Sequence, residues 1–158
     1  VNQIFEEYLE NAESKKLDFL EISQKAIFVD KFIGNEDGAK IIKLYKRAAN
    51  IVAIESKKDN KSYDGKVSLI ALKTKHDKDL YKNAKQTNKL VKKSLKSNSY
   101  NESLTILSQM KPSITEFFDN VEINCDKEGL RNNRLTLLSK VKNSFDRVFD
   151  FSKVDVSN

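Results

Sequence analysis

Tryptophan is absent from this sequence, and cysteine, proline and histidine occur once each among 158 residues. The lone Cys125 cannot close an internal disulfide, which points to a reducing cytosol. With four glycines and the single Pro112, the chain lacks the turn residues an all-β sandwich needs. One histidine and one cysteine leave the usual zinc sites and a Cys–His dyad without material. His76, between Lys75 and Asp77, reads as a solvated surface residue. No apolar run approaches a membrane span, and no basic segment leads into an apolar one as in a secretory signal. The loop "GNEDG" (34–38) is not followed by the Lys-Ser/Thr of a phosphate cradle. Paired carboxylates such as Glu6 and Glu7 lie in acidic helical stretches where solvation is their ordinary state. The expectation is therefore a module that binds, with no catalytic residue and no metal site of its own.

What is present is helical periodicity. Helices are expected at 3–12, 16–33 and 39–54. A polar connection covers 55–66, and the apolar run "VSLIAL" (67–72) does not declare itself as helix or extended chain. Residues 77–97 form the cleanest amphipathic helix. Leu80, Ala84, Thr87, Val91 and Leu95 trace one stripe, and Lys78, Lys82, Lys85, Lys89, Lys92 and Lys96 the opposite one. "SYNE" (99–102) has the pattern of a capping box, predicting a helix to about Met110. Pro112 suits the first turn of the next, ending near Asn120. Asp126 is the expected cap of a last helix over ~130–150. The sum is an all-α bundle of about six helices, one domain over 1–158. The chain opens at Val1 rather than methionine and is expected to be a piece of something longer.

The net charge is +6, unevenly spread. Residues 1–38 carry nine acids against four bases, whereas 73–96 carry nine lysines against two aspartates. A basic middle fits a polyanion partner, though a composition rich in Lys, Asn and Ile also arises from AT-rich coding. Three constellations suit RNA. Lys82, Lys85 and Lys89, with their neighbours, make a rail for phosphates, or simply a solubilising face. Lys43, Lys46, Arg47 and Asn50 share the polar side of one helix; arginine offers a planar fork, and the amide both donates and accepts. Phe117 and Phe118 point ~100° apart on a helix, so one ring enters the core and the other, Phe117 being the candidate, is available to stack on an unpaired base. The alternative packs both rings inside.

Arg134 lies between Leu130 and Leu138 on the apolar face of the last helix. A buried guanidinium is costly unless paired, so a carboxylate partner is expected, with Asp119 and Asp150 as candidates. Arg131 sits toward the edge of that face and reads as freer to meet a ligand.

The stretch "FFDNVEINCDKEGLRNNRLTLLSKVKNSFDRVFDFSKV" (117–154) resembles the C-terminal end of the β subunit of bacterial glycyl-tRNA synthetase. Phe117, Phe118, Asp119, Val121, Leu130, Arg131, Asn133, Arg134, Leu135, Leu137, Leu138, Val148 and Asp150 match that pattern in order and spacing. "YKRAANI" (45–51) is similar to an upstream segment of the same family through Lys46, Arg47, Asn50 and Ile51. Phe149 departs from the pattern, standing where a small residue is usual; Glu122 and Asn124 stand where apolar ones are common. The resemblance implies a helical anticodon-binding domain of the DALR type, from the C-terminal end of a longer chain. It implies glycine tRNA and a synthetase α subunit as partners, no membrane, and a cytoplasmic enzyme. No cofactor is implied for this domain; ATP and magnesium would serve an active site on the α subunit. Glycine anticodons share cytosine at two positions. Reading cytosine needs an acceptor for its amine, with Asn50 first and a backbone carbonyl in 120–129 second. A rival reading is a helical module that docks the α subunit or another protein. The related domain of arginyl-tRNA synthetase is disfavoured by the Phe-Phe-Asp motif.

Overall fold

The computed structural model describes residues 19–155, which are helical and contain no strand. The helices are α1 (Phe19–Ile33), α2 (Glu36–Asp59), α3 (Lys75–Lys96), α4 (Tyr100–Ser108), α5 (Lys111–Asn120) and α6 (Glu128–Asp146), with short 3-10 turns at Leu69–Ala71 and Phe151–Lys153. The helix expected at 3–12 lies outside the described residues, as does the start of the one expected at 16–33.

α6 is the centre of the bundle. Residues 133–139 are buried on every side of the helix, which only a helix with neighbours all round achieves. α2 and α3 both pack on it, while sharing no extensive contact with each other. α4 and α5 lean on α3, α1 covers α2 and α4, and the last 3-10 turn folds back onto α2. Tyr45 of α2 meets Phe145 and Phe151, with ring centroids 5.1 and 6.0 Å away. Phe149 is buried against Phe151, with ring centroids 5.4 Å apart.

The helix ends show where local signals acted. α2 begins inside the expected loop, because Asn35 accepts from the Asp37 amide at 2.9 Å and caps it. Gly38 acts there by its size. A Cβ at this position would lie 1.8 Å from the Phe32 carbonyl oxygen, so only glycine lets α1 and α2 approach. α2 then runs past Ile54 to Asp59 and stops at Asn60, which takes the left-handed conformation with φ 50°. α3 opens on a capping box of Thr74 and Asp77. The box expected at Ser99 and Glu102 does not form: Ser99 makes no side-chain capping bond, and its carbonyl accepts from Ser103 instead. Pro112 stands in the first turn of α5, as expected. Lys127 rather than Asp126 holds the capping position of α6, with no side-chain bond. α6 ends at Asp146, short of 150. There Asp150 caps the following turn through the Ser152 amide.

Candidate nucleic-acid interface

The positively charged residues singled out by sequence divide into two kinds: those the fold has neutralised and those it leaves in solvent. Arg134 is of the first kind. It is buried, and its Nε donates to Asp77 Oδ1 at 3.1 Å while Nη1 donates to the Glu122 carbonyl at 2.8 Å. Its carboxylate is therefore Asp77 at the start of α3, and neither Asp119 nor Asp150. Asp119 is exposed on α5. Asp150 accepts from the Tyr45 hydroxyl at 3.3 Å and caps its own turn, so its oxygens are committed elsewhere. Burial works to raise the Asp77 pKa, but the Thr74 amide and the Arg134 guanidinium outweigh it and hold the carboxyl below its usual 3.8. One pair thus ties the N-terminus of α3 to the centre of α6.

Arg131 is also neutralised, contrary to its expected freedom for RNA. Nη1 donates to Asp59 at 2.7 Å, Nη2 to Glu55, and Nε to Asn124 at 3.2 Å. Asn124 in turn donates to Glu55 at 3.1 Å, and the Tyr63 hydroxyl donates to Asp59. Hydrogen bonds from Tyr63 and Arg131 lower the Asp59 pKa. The carboxylates come from the last turns of α2, beyond the apolar stripe of that helix. Asn124 completes this network. Lys46 is committed too: half-buried, it donates to the Val154 carbonyl and pins the C-terminal segment.

The phenylalanine expected to stack on a base is inside. Phe117 is fully buried and Phe118 nearly so, the two rings meeting edge to face at 6.2 Å. Phe118 has a partner from another helix: the Arg47 guanidinium lies over its ring, 4.2 Å from the centroid. Arg47 itself stays exposed, as do Lys43 and Asn50, one turn before and after it on α2. The stacking fixes the plane of the guanidinium without neutralising its charge.

The lysines of α3 are the second kind. Lys82, Lys85, Lys89, Lys92, Lys93 and Lys96 are all exposed, and none forms an ion pair among the described residues. Lys85, Lys89, Lys92, Lys93 and Lys96 line one shallow channel with Asn88. Unpaired ammonium groups at this density repel one another and attract a polyanion. Lys82 lies further toward the start of α3, beside a second cleft with His76 and Glu116. His76 is half-buried, its Nδ1 3.9 Å from Glu116, rather than fully solvated.

The α2 group (Lys43, Arg47, Asn50) and the α3 lysines are carried by helices that do not pack on each other, so the fold presents two cationic strips. Sequence reasoning missed Asp77, Glu55 and Asp59, the carboxylates that select which arginines are unavailable. The Thr74–Asp77 spacing was a readable signal for one of them.

A helical bundle with unpaired lysines along one outer face has the electrostatics that attract a polyanion. The chain belongs to the DALR anticodon binding domain family, whose model matches residues 41–157. It is similar to the glycine–tRNA ligase beta subunit of Rhodospirillum centenum, 33% identical over 125 residues, 78% of this chain and 18% of that protein. It is 29% identical over 138 residues to the glycine–tRNA ligase beta subunit of Rickettsia felis, 87% of this chain and 20% of that one. The chain thus spans about a fifth of the length of these curated relatives.

Proposed function

We propose that this chain holds the anticodon loop of glycine tRNA, as the helical anticodon-binding domain of a glycine–tRNA ligase β subunit. The observation that carries the reading is the row of unpaired lysines on α3, set in a chain of the anticodon-binding family. Lys82, Lys85, Lys89 and their neighbours hold phosphates, which orients the loop without reading sequence. Arg47, flattened on Phe118, grips a further phosphate, and Asn50 beside it reads a base edge. Ligation itself takes place on the α subunit of a hetero-oligomer in the cytoplasm, with ATP and magnesium bound there and no cofactor here.

Fluorescence anisotropy with glycine tRNA and an anticodon-swapped copy, at two salt concentrations, tests this. Tighter binding of the glycine tRNA and a steep loss with salt are expected. The rival, a protein-docking module, draws support from Leu69 and Ile70, which are 62% and 85% exposed on the 3-10 turn. It would show no RNA binding at either salt concentration.

A further inference from the structure

Arg131 and Arg134 spend their guanidiniums on carboxylates from neighbouring helices. Arg47 does not. It is exposed and forms no ion pair among the described residues, and one face of its guanidinium lies over the Phe118 ring, 4.2 Å from the centroid. That ring is held in place. Phe118 is 8% exposed and meets the fully buried Phe117 edge to face at 6.2 Å. The helices that carry the two stacked side chains, α2 and α5, also pack on each other. A guanidinium resting on a fixed ring has its plane set before any ligand arrives, so little side-chain freedom remains to be lost on binding.

The face turned away from Phe118 looks into solvent. The N–H donors of a guanidinium lie in its plane, and its delocalised faces are weakly hydrated. Covering the outer face with another flat ring displaces little bound water and leaves the donors free. Unpaired bases in RNA loops stack on guanidinium planes as they do on aromatic rings. Lysine has no such surface. Lys25 and Lys61 also lie over rings, 4.4 Å from the centroid of Tyr100 and 5.3 Å from that of Tyr63, but a point charge there offers a base no plane to stack on. Lys43 and Asn50 flank Arg47 on the same stripe of α2, and both are exposed.

We infer that Arg47 is a stacking platform: an unpaired base of the bound RNA loop lies flat on the outer face of its guanidinium, completing a three-layer stack with Phe118, while the in-plane donors keep the adjoining phosphate. The inference rests on the proposed RNA-binding role and states how Arg47 serves it. Every base has a π face, so the platform accepts any base and leaves the choice of base to Asn50.

The test uses the 158-residue chain, a glycine anticodon stem-loop, and copies in which each loop nucleotide is singly made abasic, at two salt concentrations. In the parent, one abasic position should cost about fivefold in affinity. Arg47→Lys keeps the charge and removes the plane, at an exposed site where a melting curve checks that the fold is intact. It should weaken the unmodified loop by a similar factor, abolish the penalty at that abasic position, and leave the salt slope unchanged. An abasic penalty that survives in Arg47→Lys, or lysine holding the unmodified loop as well as arginine does, assigns Arg47 to phosphate alone. Either result overturns the platform and leaves the anticodon-loop reading standing, as does a parent indifferent to every abasic position. A parent chain that binds no stem-loop at the lower salt concentration overturns both.

Discussion

The foot of α6 and the outer face of α3 are both rich in positive charge, yet they do opposite things with it. Around Arg131 and Arg134, each guanidinium is met by carboxylates from other helices: Glu55 and Asp59 from α2, Asp77 from α3. Along α3, eight lysines from Lys75 to Lys96 stand in solvent with no ion-pair partner among the described residues. The arginines hold the bundle together and the lysines are available to a ligand. Arginine suits the first task because its planar fork satisfies several acceptors at once; lysine suits the second because a hydrated point charge on a flexible stem follows a phosphate chain. Counting charge along the sequence would have treated the two regions alike.

Breaking the buried pair should give the largest effect. Arg134→Ala leaves Asp77 buried and unpaired, and the expected loss is about 3 kcal/mol of stability by denaturant titration. The same pair predicts acid sensitivity. Because the folded-state pKa of Asp77 is depressed, its contribution is present above the ordinary 3.8 and is lost as pH falls through the lower folded value. The thermal midpoint should therefore drop on acidification below pH 3.8 in the parent and drop less in Asp77→Asn.

The lysine face should respond in the reverse sense. Replacing Lys85, Lys89 and Lys92 together by glutamine should leave the melting temperature within a degree or two but weaken RNA binding by about tenfold or more at moderate salt. The salt slope should shrink by about two to three. A triple variant that melts early would show these lysines to be structural and erase the contrast. Arg131→Ala should cost about 1 kcal/mol, since its network is partly open to solvent, with little change in RNA affinity once folded. A large affinity loss there would move Arg131 to the binding side. Arg47→Ala is the mixed case and should show the smallest change: a few-fold loss of affinity for all tRNAs alike and a slight loss of stability from Phe118. Asn50→Ala should relax base choice without changing the salt slope. If it leaves discrimination intact, Asn50 does not read a base.

Much of this architecture was legible in the residues. The α3 stripe, with Leu80, Ala84, Thr87 and Val91 inside and lysines outside, is what periodicity predicts, because burial and solvation separate along a single helix. Pro112 marked the start of α5 for an equally local reason. The burial of Arg134 followed from its neighbours Leu130 and Leu138. Its partner did not, since Asp77 is brought to it only when α3 docks on α6. The ring expected on the surface, Phe117, failed for the same reason: α2 and α3 both reach α5, and helix spacing alone cannot say that both sides will be covered.

The sequence by itself determined an all-helical chain, the register of its apolar faces, and which residues could carry positive charge. These are properties of one helix at a time, set by backbone geometry and side-chain solvation. Only the tertiary structure decided which charges are cancelled and which groups converge. It placed Glu55 and Asp59 against Arg131 and laid Arg47 on Phe118. Electrostatic pairing acts between atoms a few ångströms apart, and that proximity is created by packing helices whose residues lie dozens of positions apart in the chain.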